Sequence, residues 1–344
     1  MTRTVLSILD LAPVSTGSTP ADALRSSLDL ARLADELGFG RYWVAEHHNM
    51  PGIASSSPAV LIAHIAQVTE RIKVGSGGVM LPNHSSLAIA EQFGMLEALH
   101  PGRIDLGIGR APGTDQLTAR ALRRNIGDEA VDDFPRQLSE LYGYFTGSFA
   151  STHPFGTIHA VPARGYLPDI WLLGSSDYSA TMAGYNGLPF AFAHHFAGGN
   201  TEAAVQAYRS HFRPSGRLEA PHLGLGVNVV CADTDEHARY LAGSGALAIA
   251  RLRQGRPSTY PSPEEAAAHE YTPMEREIVR GFTSSHVIGS PDTVRQGLLD
   301  LVARTGADEL FITTNVYDPA ERLRSFRLVA EVMEQIDGEL LLTA

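Results

Sequence analysis

Short runs of β-branched and apolar residues alternate with longer segments of helical spacing from one end of this chain to the other, a rhythm that points to repeated parallel β/α units. The expected strands cover residues 5–11, 41–45, 72–81, 103–108, 170–173, 190–193, 223–231 and 309–313. In the first expected helix, residues 21–37, apolar side chains recur at Leu24, Leu28, Ala31, Leu33 or Ala34, and Leu37, and Gly38 supplies a stop. Further helices are expected over 59–69, 87–99, 135–145, 178–186, 202–212, 236–253, 291–304 and 319–336. Eight parallel strands can close into a barrel or stay open as a doubly wound sheet, and their near-uniform spacing favours a closed (β/α)8 TIM barrel. No linker divides the chain, so one barrel domain over 1–344 is expected. Two stretches break the rhythm. Residues 148–167 read as a surface insertion, whereas 254–290, with Pro257, Pro261, Pro263 and Pro273, read as a lid-like insertion near a site.

A formal charge of -11 argues against a nucleic-acid partner or an anionic membrane surface, since either calls for concentrated Lys and Arg. Cys231 stands alone, so no internal disulfide and no cluster of cysteine metal ligands can form. The apolar run at the N-terminus is cut at Asp10, too short for a signal-peptide core or a membrane span. A cytoplasmic enzyme is the expectation.

In such a barrel the chemistry belongs to residues at the C-terminal ends of the strands. Tyr42-Trp-Val-Ala-Glu-His-His-Asn49 runs a buried strand straight into Glu46, His47 and His48. Imidazoles there suit general acid/base work, against the plainer reading of a solvated turn. Consecutive residues on a strand face opposite ways, so His47 and His48 are poorly placed to grip one metal ion, and the same holds for His194 and His195. One histidine of each pair is expected to face the site, and no metal is expected. In Val74-Gly-Ser-Gly-Gly-Val-Met-Leu-Pro82, the glycines Gly77 and Gly78 mark either a bulge or a close approach of backbone to a flat ligand. Leu172-Leu-Gly-Ser-Ser-Asp-Tyr-Ser179 leads from strand to helix through Ser175, Ser176 and Ser179, which fits a phosphate as well as a helix cap. Arg110 ends the fourth strand, where it can meet an anion or form a surface salt bridge. The surrounding Gly107-Ile-Gly-Arg-Ala-Pro-Gly113 has the wrong spacing and the wrong position for a dinucleotide fingerprint.

Taken in order, residues 34–48, 72–84, 102–110 and 174–179 resemble the bacterial luciferase-like monooxygenases over nearly the whole chain. That resemblance implies a (β/α)8 barrel that holds reduced FMN and uses O2, through a C4a-peroxyflavin, to oxidise a small organic substrate such as an aldehyde or ketone. It implies an active-site role for His47, with Glu46 and His48 beside it, and a non-prolyl cis peptide at Gly77 and Gly78 under the flavin ring. It also implies cofactor contacts from Arg110, Ser176 and Ser179, with Ser175 adjacent. A separate flavin reductase and a homodimer are implied as partners. Gly109 stands where bacterial luciferase has a reactive cysteine, which speaks against light emission. Two other functions remain: F420-dependent hydride transfer, and a non-catalytic flavin-binding barrel.

Overall fold

The computed structural model describes residues 4–122 and 133–342. Nine strands run β1 (Val5–Asp10), β2 (Arg41–Val44), β3 (Lys73–Met80), β4 (Ile104–Gly109), β5 (Asp169–Gly174), β6 (Phe190–Phe192), β7 (Leu223–Cys231), β8 (Val287–Gly289) and β9 (Glu309–Thr313). Eight of them close a parallel barrel in the order β1 to β7 and then β9, which pairs back onto β1. This is a (β/α)8 TIM barrel. β8 lies outside the ring: β7 is long enough to pair with β9 through Gly224 to Asn228 and with β8 through Val229 to Cys231. The expected lid, residues 254–290, therefore contains an ordered strand that an eight-strand count missed, because Val287–Gly289 is only three residues long.

Helices cover the outside. The principal ones are α1 (Pro20–Glu36), α2 (Pro58–Val68), α3 (Ser86–Leu99), α5 (Phe134–Thr146), α6 (Asp177–Tyr185), α8 (Thr201–His211), α9 (Asp235–Arg253), α12 (Pro291–Thr305) and α13 (Pro319–Leu342). All but α13 fall within a residue or two of the expected spans, because Pro at the first turns of α1, α2, α5 and α12 and left-handed glycines after α5 and α12 set the ends; α13 runs six residues beyond its expected end at 336. Four further helices were not expected: α4 (Gln116–Leu122), α7 (His194–Ala197), α10 (Pro263–Ala268) and α11 (Pro273–Thr283). The last two belong to the lid.

Outward strand residues such as Ile8, Val44, Leu106 and Ile312 join the helices in one continuous core. Inward residues fill the barrel in layers. At the bottom, Arg41 bonds Asp105 at 2.7 Å and Glu309 at 3.1 Å, and all three are buried or nearly so. Above them Trp43 stacks on Phe311 at 4.0 Å and meets Trp171 edge-on at 5.1 Å. The Trp43 indole N–H donates to Asp105 at 2.9 Å, and the Arg41 guanidinium lies 5.0 Å from the Trp171 ring centre, so the two layers are bonded to each other.

A second buried pair ties the last helix to the first strand. Arg322 of α13 donates to Asp10 at 2.6 Å and to the Thr314 carbonyl at 3.0 Å, while Tyr42 donates its hydroxyl to Asp10 at 2.5 Å. Burial alone would raise the Asp10 carboxyl, but Arg322 and the hydrogen bonds around it hold it below the usual carboxylate range. Arg322→Met should cost about 3 to 5 kcal/mol in urea unfolding, since it strands a buried carboxylate. The double variant with Asp10→Asn should recover part of that loss, whereas additive losses would show that the pair is not coupled.

Candidate active site

The C-terminal ends of the strands open into a cavity of about 1100 Å³ whose floor is the aromatic layer, with Leu9, Trp43 and Phe311 in its lining. β3 contributes Gly77 and Gly78, joined by a cis peptide bond. A Cβ at Gly77 would stand 2.7 Å from the Leu9 side chain, and one at Gly78 would stand 2.7 Å from the Gly107 carbonyl. Only a bare backbone fits here, so this part of the floor is a peptide surface.

At the end of β2 both histidines border the cavity, against the expectation that one would, because the strand stops at Val44 and its alternation does not reach them. His48 turns to Glu46, with its Nε2 2.9 Å from the carboxylate. Glu46 is fully buried and does not reach the cavity. It accepts from the Met80 N–H at 2.9 Å and is approached by His84 Nε2 at 2.8 Å and by Asn83 at 3.4 Å. Burial would raise its carboxyl, but His84, His48 and the Met80 amide together hold it below the normal range. Glu46 is thus an ionised clamp that fixes the β2 and β3 ends to each other. His47 faces the cavity, with its main-chain N–H held by the Ser55 carbonyl at 3.0 Å and its Nδ1 buried without a partner among the described residues. Burial pushes its pKa down to about 4, so the ring is neutral at pH 7.

The pair at the end of β6 does divide. His194 is buried, with its Nδ1 2.7 Å from the Thr201 hydroxyl. His195 lines the cavity, and burial lowers its pKa to about 4. Gly226 makes room for it: a Cβ there would stand 2.5 Å from Nδ1. One of His194 and His195 is expected at the site, and the sequence does not decide that it is His195. Its orientation depends on a glycine 31 positions away in the chain, which periodicity cannot register. His84 was missed for a similar reason, since its partner Glu46 lies 38 residues earlier.

Ser175, Ser176 and Ser179 line the opposite wall at the start of α6. Ser176 occupies the cap position, yet its side chain makes no capping bond, so the hydroxyl and the first helical N–H groups are free to meet a ligand. Arg110 lines the same cavity and lies over the Tyr178 ring at 4.2 Å. Among the described residues it forms no salt bridge. All the cofactor-side residues singled out in the sequence, Gly77, Gly78, Arg110, Ser175, Ser176 and Ser179, therefore border one cavity. No group of His, Cys, Asp and Glu among the described residues is arranged to hold a metal ion.

The family model for luciferase-like monooxygenases matches residues 5–309. The chain belongs to that family. The luciferase-like monooxygenase of Escherichia coli strain K12 is 46% identical over 332 residues, covering 96% of this chain and 98% of its own. The N-acetyl-S-alkylcysteine monooxygenase of Bacillus subtilis strain 168 is 35% identical over 332 residues, covering 95% and 98%. The crystal structure of apo-MsnO8 superposes with a TM-score of 0.88 at 40% identity, over 96% of this chain and 99% of that one. The oxygenating constituent of 3,6-diketocamphane monooxygenase from Pseudomonas putida, solved in complex with FMN, has a TM-score of 0.70 at 19% identity, over 96% and 97%. An F420-dependent secondary alcohol dehydrogenase has a TM-score of 0.69 at 11% identity, over 96% and 99%. These last two share the fold alone. In this luciferase-like chain no helix among the described residues is long and apolar enough to cross a membrane.

Two pH effects follow from the strand-end network. The depressed Glu46 carboxyl contributes stability that is present above the unfolded carboxylate pKa of about 4.3 and is lost as pH falls through the lower folded value. Glu46→Gln should therefore flatten the acid limb of unfolding free energy against pH, and an unchanged limb would contradict the clamp. In ¹³C-histidine NMR spectra the His47 and His195 rings should not titrate between pH 8 and about 5, since both pKa values lie near 4. A midpoint near 6.5 for either ring would show that its nitrogen is solvated.

Proposed function

We propose that the chain is an FMN-dependent monooxygenase that receives reduced FMN from a separate flavin reductase and uses O2 to oxidise a small organic substrate. The observation that carries this reading is the division of one cavity into three unlike parts. The flat peptide floor at Gly77 and Gly78 suits a planar ring. Arg110, Ser176, Ser179 and the start of α6 suit a phosphate monoester. His47 supplies an uncharged imidazole with a free ring nitrogen. The lining also fits the group by charge, since the only carboxylate bordering the cavity among the described residues, Asp115, is already bonded to Asn49 at 3.0 Å and to the start of α4.

When bound, reduced FMN supplies the electrons that activate oxygen for transfer of one atom to a substrate. The chain's own residues bind, orient and manage protons. Ser176, Ser179 and the first N–H groups of α6 would hold the phosphate, with Ser175 beside them. Arg110 would neutralise it or meet a ring carbonyl. His47, neutral at working pH, would accept or return a proton at its free nitrogen, and Glu46 and His48 would act by holding the turn that aims it. Lid residues Pro257, Tyr260 and Phe282 border the cavity and would exclude water from the reacting centre.

Equilibrium binding of FMN and riboflavin separates the phosphate from the ring. FMN should bind at least about tenfold more tightly than riboflavin, and the Ser176→Ala/Ser179→Ala variant should weaken FMN about tenfold while leaving riboflavin unchanged. Equal affinity for the two flavins, or tighter binding of deazaflavin F420, would overturn the assignment. His47→Ala should lower turnover by about 10² or more with FMN affinity preserved, as expected for loss of a proton-handling group. Unchanged turnover would remove His47 from the mechanism.

A further inference from the structure

The main cavity continues into a side chamber of about 100 Å³ between α9, α11 and β8, roofed by Tyr260 of the lid. The two share walls at Ile53, Asn228, Ile249, Leu252, Phe282 and Asn315. The lid over it is pinned down. Tyr260 exchanges main-chain hydrogen bonds with Val14 and Thr16 at 2.9 and 2.8 Å, and Gln254 donates to Glu275 at 2.9 Å.

Two properties of the chamber select a ligand. Among the described residues no Asp, Glu, Lys or Arg lines it, and its one titratable imidazole, His286, has its pKa lowered to about 4 by burial and is neutral. His286 Nε2 must donate to the His195 carbonyl, 3.0 Å away, which fixes its tautomer. An ionic ligand would enter with no countercharge, at a desolvation cost that an apolar wall cannot offset. Second, Asn315 Oδ1 is buried with no hydrogen-bond partner among the described residues. A buried amide oxygen left unpaired costs free energy, and a ligand N–H or O–H would relieve it.

We infer that this chamber is the substrate's binding site, and that the substrate is an uncharged organic molecule with an apolar chain lying between Ile249, Leu252 and Phe282 and one N–H or O–H donor directed at Asn315. This deepens the flavin reading and rests on it, since the molecule bound here is taken to be the one oxidised in the adjoining cavity. The charged requirements of the two halves differ. Arg110 and the α6 serines serve an anion on one side, and the chamber rejects one on the other.

The test uses the full chain and a series of N-alkylacetamides from ethyl to octyl, titrated by calorimetry, with alkanoates and alkylammonium salts of equal length as charged controls. Affinity should tighten about fourfold per added methylene until the chamber is full. The charged controls should bind roughly tenfold or more weakly. Ala246→Phe, which fills the chamber from α9, should abolish the dependence on chain length while FMN affinity stays within about twofold. Phe282→Ala should move the optimum to a longer chain, which guards against loss of folding in the first variant. Absence of length dependence, alkanoates binding as well as amides, or an Ala246→Phe variant indistinguishable from the parent would each overturn the inference. FMN binding with no amide binding sinks the chamber alone, and amide binding with no FMN binding sinks the flavin reading while the chamber stands.

Discussion

Trp43 is the side chain on which the depth of this barrel depends. Its indole bonds downward to Asp105, stacks sideways on Phe311 and meets Trp171 edge-on, so it closes the charged layer below and floors the cavity above. The ion pairs of Arg41 lie beneath it, where they are shielded from water and geometrically fixed. Fully burying aromatic side chains of this size is worth several kcal/mol each, and deleting one costs about 3 to 5. A barrel filled to this level leaves its upper end for ligands. Above the aromatic floor the cavity is walled by strand ends and the loops behind them, with Ile249, Leu252 and Phe282 added from helices α9 and α11.

The same economy governs the rim. Glu46 does not touch the cavity, yet four groups from three segments converge on its carboxylate, and the backbone between them carries His47 inward. Charge at Glu46 is thus used for positioning, while much of what faces the cavity is uncharged: the His47 and His195 imidazoles, serine hydroxyls and bare peptide. Arg110, resting on Tyr178, Asp115 and the exposed Arg253 are the charged groups of its lining among the described residues.

Much of this was readable in the sequence because it depends on local periodicity. The eight barrel strands and the long helices follow from runs and stops that lie within a few residues of one another. Strand alternation does not decide the histidines: β2 ends at Val44, before His47 and His48, both of which border the cavity, and His194 and His195 lie in the short helix α7. What was not readable depends on distant partners or on very short elements. β8 has three residues and forms only because β7 overruns the barrel edge. Gly226 matters because His195 fills the space it vacates, and His84 matters because Glu46 is there to receive it. The side chamber is assembled from the β2 loop, α9, α11, β8 and the end of β9, and no single segment announces it.

On the proposed reading, the slot above the aromatic layer would receive a planar ring over Gly77 and Gly78 with its phosphate at the start of α6. A crystal structure of the chain with FMN bound tests it directly. The account predicts the phosphate within hydrogen-bonding distance of Ser176 and Ser179, the ring against the Gly77–Gly78 peptide and His47 at its edge. Density for the ring in the side chamber, or for the phosphate at Arg253 on the far side of the mouth, would contradict it.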